Sequence, residues 1–174
     1  MAVPHQGFLI LDANVLIDYC AADRTILTLI SRHVGQVHVP VELLEEVKAL
    51  DEGECERLGL RVFEPELELL MMAGKRRPGL SYYDHLCLLV AKQGGWACVT
   101  NDGKLRRDCI AENVPVLWGL EPMIDLVGSG NLTVAEAKKV AHTIQTENPH
   151  YITAAVVGRF VQKIEAVARR GRQR

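Results

Sequence analysis

Short apolar runs alternate with amphipathic stretches along the chain as far as residue 128. The runs predict short strands near residues 8–11, 37–39, 60–63, 96–100 and 114–117. The longer stretches between them, where apolar residues recur every three or four positions, predict helices. Strands that alternate with helices are typical of a parallel sheet between helical layers, and short apolar strands fit a sheet buried on both faces. The pattern therefore predicts an α/β fold, a three-layer α/β/α sandwich with a short parallel central sheet.

The predicted helices begin and end at residues that favour helix boundaries. A first helix is expected from Val15 to Arg32, because Gly35 follows it and glycine commonly terminates helices. A second is expected from Pro40 to Leu50, since proline is tolerated in the first helical turn. The remaining helices of this part of the chain are expected at residues 65–73, 82–93 and 103–112.

The pattern changes after residue 130. A capping box begins at Thr133 and starts one helix, and a second helix is expected at residues 152–169. Their apolar faces must pack against another surface, so we expect these helices to lie on the α/β body. The chain is thus expected to contain a first domain, residues 1–128, and a C-terminal helical extension with a basic tail, residues 129–174.

Composition narrows the class of protein further. The chain has 174 residues, of which 48% are hydrophobic and 24% charged, as in ordinary globular domains. No apolar run approaches the roughly 18 residues of a membrane span, and the N-terminus lacks the pattern of a signal peptide, so we expect a cytoplasmic protein without a membrane partner. The cysteines are odd in number and lack C-x-x-C spacing, which favours reduced core residues over disulfides or zinc ligands.

The net charge of −2 gives no overall indication of nucleic-acid binding. Basic residues nevertheless cluster around positions 75–77, 104–107 and 169–174. Clusters of this kind beside an acidic centre suit a polyanion, although solvated surface is the more ordinary explanation for any single cluster.

Two aspartates follow predicted strands. Asp12 comes directly after the strand at residues 8–11, and Asp102 closely follows the strand at residues 96–100. If these strands are parallel neighbours, both side chains lie at the carboxyl edge of the sheet, where open α/β sheets place their sites. Converging carboxylates repel one another and usually gather around a hard cation.

Two further acidic residues lie in predicted helices. Asp84 opens a helix that is apolar almost all round, and a buried carboxylate needs a partner. In the helix after Pro40, Glu46 lies at the edge of the apolar face, whereas Glu42 and Glu45 point away from it.

Each acidic residue also has an ordinary structural explanation. Asp12 and Asp102 are suitable helix N-caps, although Asn14 is an alternative cap that would leave Asp12 free. Ser81 and Asp84 have the spacing of a capping box. Glu46 fits a solvated helix face.

Taken together and in this order, the acidic positions resemble those of the PIN-domain family, and in particular its VapC-like ribonucleases. The resemblance covers about residues 8–127. Its matching segments are residues 10–18, 39–47, 80–91 and 99–105. By position, the family's acidic quartet is matched by Asp12, Glu46, Asp84 and Asp102, and its supporting polar positions by Asn14 and Thr100.

The resemblance implies a metal-dependent endoribonuclease that hydrolyses RNA with Mg²⁺ or Mn²⁺. Asp12, Asp84 and Asp102 are then expected to ligate the cation, and Lys104 and Arg107 to steady the RNA strand. Many short members of the family are toxins that form homodimers and are neutralised by an antitoxin protein. The additional helices after residue 130 depart from those members.

Two other functions stay open. A phosphatase of the haloacid-dehalogenase type would use an Asp-x-Asp pair, but Asn14 stands at the second position. A catalytically silent module that binds RNA or a protein partner would keep the fold without the chemistry. The presence of all four carboxylates favours an enzyme over this module.

Overall fold

The computed structural model describes residues 7–171. In that range, five strands form an all-parallel sheet in the order β3-β2-β1-β4-β5. Residues 1–6, where we expect no signal peptide, and residues 172–174, the end of the basic tail, lie outside the described residues. The strands are β1 Phe8–Leu11, β2 Gln36–Pro40, β3 Arg61–Phe63, β4 Ala97–Val99 and β5 Val116–Leu117.

Helices cover the sheet, so the predicted three-layer α/β/α sandwich is confirmed. Apart from the two segments discussed next, the predicted elements begin and end within two residues of the observed ones. In the described part of the chain the α-helices are α1 Ala13–Ala22, α2 Thr25–His33, α3 Glu52–Arg57, α4 Leu67–Ala73, α5 Tyr82–Gly94, α6 Gly103–Ala111, α7 Glu121–Gly128, α8 Val134–Glu147 and α9 Ala154–Gly171.

The single helix predicted from Val15 to Arg32 is wrong, because the chain forms two helices here. Asp23 ends α1 in an extended conformation. Its carboxylate accepts hydrogen bonds from the backbone N–H and the hydroxyl of Thr25, at 3.0 and 2.6 Å. Aspartate competes with the helical backbone in this way, which favours a new helix start over continuation.

The α-helix predicted from Pro40 to Leu50 is also wrong. Residues Val41–Glu45 form a 3₁₀ helix, and the N–H of Glu46 bonds to the carbonyl of Leu43 at 3.0 Å. Leu43, Val47 and Leu50 are buried all the same, and Leu44 is half-buried. Tight turns therefore bury the same residues as an α-helix would, and the helical wheel that selected Glu46 does not apply.

The C-terminal helices pack against the α/β body. Helix α8 lies against α1, and α9 lies against α7, a helix that the sequence pattern did not predict. The buried side chains of α8 and α9, including Ile144, Phe160 and Ile164, belong to one continuous apolar core with the strands. No helix within residues 7–171 combines the length and apolarity that crossing a bilayer requires.

The order of strands changes direction beside β1. The chain builds β1, β2 and β3 toward one edge of the sheet and then returns to place β4 on the other side of β1. Leu11 pairs with Val99, and the N–H of Asp12 donates to the carbonyl of Val99 at 3.1 Å. The ends of β1 and β4 thus lie side by side at the switch point, where sheets of this kind place ligand sites.

Candidate active site

Asp12 is a buried carboxylate at the carboxyl end of the central strand. It is 1% exposed. It caps α1, because its Oδ1 atom accepts a hydrogen bond from the N–H of Val15 at 2.8 Å. Its Oδ2 atom accepts a hydrogen bond from the hydroxyl of Thr100. Asn14 is exposed and does not take over the cap, so the expectation that Asn14 frees Asp12 is wrong.

Burial raises the pKa of Asp12 to about 7 from its ordinary value of 3.8. The hydrogen bonds from Thr100 and Val15 act in the opposite direction, since they stabilise the charged form. The negative charges of Asp84 and Asp18 add to the increase. Asp84 therefore lies within electrostatic reach of Asp12.

Thr100 connects Asp12 to Asp102. The Thr100 hydroxyl is fully buried and accepts a hydrogen bond from the N–H of Asp102 at 3.0 Å. Asp102 in turn caps α6, because its Oδ1 atom accepts from the N–H of Leu105 at 2.7 Å. The structural explanation of Asp102 as a helix N-cap is therefore confirmed, and Thr100 bonds to both Asp12 and Asp102.

Asp84 stands at the start of α5, a helix that runs beside β1 and β4. Its Oδ2 atom accepts from the N–H and the hydroxyl of Ser81, at 3.2 and 2.9 Å, which completes the predicted capping box. The second carboxylate oxygen has no hydrogen bond within residues 7–171. Asp84 is thus held in place and keeps one oxygen available.

Glu46 is exposed at the end of the 3₁₀ helix. Its charge, with those of Asp12 and Asp84, raises the pKa of the Cys87 thiol, although burial of the thiol is the largest cause. Three of the four predicted carboxylates therefore lie within electrostatic range of one buried thiol. The sequence did not predict that Cys87 lies near these carboxylates, because it is part of an apolar run.

Glu42, which the helical wheel excluded, is a further acidic residue near this edge of the sheet. Its Oε2 atom is buried and has no hydrogen-bond partner among the described residues. Its charge raises the pKa of Tyr82, in addition to the larger effect of burial. An unpaired buried oxygen is uncommon and points to an unmet interaction at the end of β2. Glu42 was excluded as a site residue only because an α-helix was expected here, and the segment is a 3₁₀ helix instead.

The basic residues near the site are largely neutralised by neighbouring carboxylates. Lys104 forms an ion pair with Asp108 within α6, and Arg77 binds the same Asp108 at 2.9 Å. Arg107 is exposed and forms no ion pair within residues 7–171. Of the two predicted RNA contacts, Arg107 is therefore the freer cation.

The acidic side chains do not form a closed metal cage. Across residues 7–171, no three His, Cys, Asp or Glu side chains are arranged as a group that would hold a metal ion. The predicted ligand set of Asp12, Asp84 and Asp102 is thus not assembled as three converging ligands. Mg²⁺, however, usually keeps several waters and takes only one or two carboxylates. The mutually repelling pair of Asp12 and Asp84 offers the oxygen donors that such a hydrated ion prefers.

A second buried aspartate lies close to this edge and was missed. Asp18, on α1, is 6% exposed, and burial raises its pKa to about 6. Its two oxygens accept hydrogen bonds from the side-chain amide of Asn148, at 3.1 and 3.3 Å. Asn148 lies between α8 and α9, so no local sequence signal connects the two residues.

No family model matches the chain, and comparison with curated proteins and with solved structures finds no significant match. The resemblance to the PIN-domain family therefore rests on the order and the chemistry of the residues described above.

Proposed function

We propose that this protein is a metal-dependent endoribonuclease of the PIN-domain type. The observation that carries the proposal is the buried carboxylate of Asp12, which stands at the switch point of the sheet and is repelled by Asp84. Burying a carboxylate beside a second one is unfavourable unless another group offsets the repulsion. A cation at this edge is the simplest such group.

Asp12 and Asp84 are the residues that would hold Mg²⁺ or Mn²⁺, with Asp102 and Glu46 near the same edge. When bound, such an ion lowers the pKa of a coordinated water and neutralises charge on the attacked phosphate. The protein's own contribution is to fix the donors. Val15 and Thr100 orient Asp12, and Ser81 orients Asp84, so that neither carboxylate needs to reorganise when substrate arrives.

RNA is the proposed substrate, and Arg107 is the proposed phosphate contact because its guanidinium has no competing carboxylate in the described chain. Lys104 is a weaker candidate, since Asp108 neutralises it. The family resemblance further supports a cytoplasmic toxin, neutralised by an antitoxin protein and acting as a homodimer. These finer features belong to the same proposal.

The decisive experiment is cleavage of end-labelled RNA by the purified protein with Mg²⁺, with Mn²⁺ and with a chelator. Asp84→Asn should abolish metal-dependent cleavage while preserving the fold, because one amide oxygen can accept both hydrogen bonds from Ser81 while the charge is lost. Asp12→Asn should abolish cleavage as well, although its amide can keep only one of the two hydrogen bonds that the carboxylate accepts. Asp51→Asn is the matched control. The acidic edge is the carboxyl edge of the sheet with Asp12, Glu46, Asp84 and Asp102. Asp51 is an exposed N-cap on α3 and does not belong to it, so this variant should cleave normally. Undiminished cleavage by Asp84→Asn would remove the proposal.

A binding module without catalysis is the second candidate, favoured by the lack of a three-ligand metal group in residues 7–171. This function predicts that the protein binds RNA in the presence of chelator and that the RNA stays intact when either metal is added. The same gel assay separates the two functions, because retained and cleaved RNA migrate differently.

A further inference from the structure

A cavity opens between α7 and α9, beside the end of β4. Its volume is about 170 Å³. Asn101, directly before Asp102, is part of its wall, so the cavity adjoins the acidic edge. The polar and aromatic side chains in its wall are Asn101, Trp118, Glu121, Tyr151, Arg159, Phe160 and Lys163.

The wall contains exposed aromatic rings, and a cation outside the wall stacks on one of them. Trp118 and Tyr151 are 45% and 40% exposed, unusually open for such large side chains. The guanidinium of Arg106 lies 3.6 Å from the centroid of the Trp118 ring, and its Nη1 atom is buried without a hydrogen-bond partner among the described residues. Exposed aromatic rings suit a planar ring better than an aliphatic chain, because such rings stack.

Two cations stand at the rim of the cavity. Arg159 and Lys163 are four residues apart on α9 and therefore project from the same face of the helix. Both are exposed, and neither has an ion pair within residues 7–171. Glu121 is the acidic member of the wall, but its Oε2 atom accepts from the N–H of Trp118 at 2.7 Å and its charge acts on Arg106. The rim thus presents uncompensated positive charge.

Asn101 supplies a directional donor. Its Oδ1 atom accepts from the N–H of Gly119 at 2.9 Å, which fixes the side chain and leaves the Nδ2 amide without a hydrogen bond in the described chain. A side chain at Gly119 would meet this amide, since an added Cβ atom would lie 2.5 Å from Nδ2. The glycine therefore permits the close approach that holds Asn101 against the cavity.

We propose that this cavity binds one unpaired base of a single-stranded RNA, whose phosphates contact Arg159 and Lys163. The inference rests on the proposed function, because it assigns the recognition of that substrate to a subsite beside the acidic edge. Proteins recognise single-stranded RNA by stacking splayed bases on aromatic rings and by following the backbone with cations. The cavity is smaller than the 300–1,000 Å³ or so of drug-sized pockets, which fits a single base.

Binding measured without metal tests this inference separately from cleavage. The probe is a fluorescein-labelled single-stranded oligoribonucleotide of about eight nucleotides, titrated with the full-length protein in chelator and followed by fluorescence anisotropy. Trp118→Leu should weaken binding about tenfold, because stacking is lost, whereas Trp118→Phe should retain most of the affinity. Arg159→Ala combined with Lys163→Ala should also weaken binding and reduce its salt dependence.

A charge-matched control distinguishes the cavity from general electrostatics. Arg32→Ala combined with Lys139→Ala removes two exposed cations, on α2 and α8, that do not line the cavity. This pair should bind almost as the parent protein does. Equal weakening by both double variants, or wild-type affinity in Trp118→Leu, would overturn the inference, as would a parent protein that does not bind the probe. If the parent protein binds the probe in a manner that depends on Trp118 but cleaves no RNA with either metal, only the nuclease proposal is removed.

Discussion

The buried hydroxyl of Thr100 donates to Oδ2 of Asp12 and accepts from the N–H of Asp102. One side chain therefore fixes two acidic residues on neighbouring strand ends. The bond to Asp12 also lowers the pKa of that carboxyl group against the larger effect of burial. Thr100 is thus a positioning residue for the carboxylate on which the proposed function depends.

Thr100→Val should impair cleavage because valine keeps the shape of threonine but donates no hydrogen bond. The pKa of Asp12 should then rise further above about 7, so that less of the carboxylate is charged at neutral pH. We expect the cleavage rate at about pH 7 to fall roughly tenfold and the rising limb of the pH profile to move to higher pH. Thr100→Ser, which restores a hydroxyl, should retain the parent profile. A Thr100→Val profile that coincides with the parent would contradict this role.

Asp18 should make the protein less stable as pH rises. Its folded pKa of about 6 lies above the ordinary 3.8, so the folded state holds a proton that the unfolded chain has released between these values. The stability contribution is fully present below about pH 3.8 and is lost as pH rises through about 6. Asp18→Asn should raise the free energy of unfolding at neutral pH by about 1 kcal/mol, because the amide still accepts from Asn148 and carries no charge.

Urea unfolding of the parent and of Asp18→Asn at several pH values between about 4 and 7 measures this effect. Asp12 produces a slope of the same sign, but it is present in both proteins. The difference between the two curves therefore reports Asp18, together with its smaller electrostatic effect on Asp12. A difference that does not change with pH would show that the Asp18–Asn148 contact does not control this titration.

Two glycines should respond in opposite directions to alanine. At Gly119 the added Cβ atom would lie 2.5 Å from the Asn101 amide, so Gly119→Ala should destabilise the protein by about 1–3 kcal/mol. At Gly158, inside α9, an added Cβ meets no atom within 4 Å, so Gly158→Ala should stabilise it by about 1 kcal/mol. Thermal unfolding should therefore show a lower midpoint temperature for Gly119→Ala and a higher one for Gly158→Ala. A neutral Gly119→Ala would mean that Asn101 can move away from Gly119 without cost.

The C-terminal helices should contribute to global stability. Ile164 on α9 is fully buried, and Ile164→Ala should lower the free energy of unfolding by about 3 kcal/mol, or the midpoint temperature by about 10 °C. Removal of residues 130–174 should expose the apolar surfaces of α1 and α7 and cause aggregation. Val161→Ala, at a partly buried neighbouring position, should cost less. A truncated protein that unfolds like the parent would refute the packing role of α8 and α9.

The elements that the sequence predicted well are those with local signals. The capping boxes at Ser81 and Thr133 are formed as the residue spacing indicates. The parallel strands around Asp12 followed from short apolar runs separated by helices. The break at Asp23 was missed because a side-chain cap competes there with a helical pattern that continues through it, and such competition depends on small energy differences.

The parts of the site that were missed depend on contacts between distant residues. Asp18 and Asn148 are 130 positions apart, and Arg106 reaches Trp118 only because α6 and β5 pack together. Glu42 was excluded by a periodicity of 3.6 residues, which a 3₁₀ helix does not have. Hydrophobic patterning therefore located the carboxyl edge of the sheet, whereas the neighbours of each side chain there depend on tertiary packing.

The central position of β1 has a consequence for synthesis on the ribosome. Asp12 is translated well before its partners, because its N–H binds the carbonyl of Val99 and its carboxylate accepts from the hydroxyl of Thr100, 88 positions later in the chain. A nascent chain that ends before β4 therefore cannot complete the environment of Asp12. Because domains fold as their residues emerge, the acidic edge matures only after β4 has been made. Any activity at that edge is thereby withheld from the unfinished polypeptide.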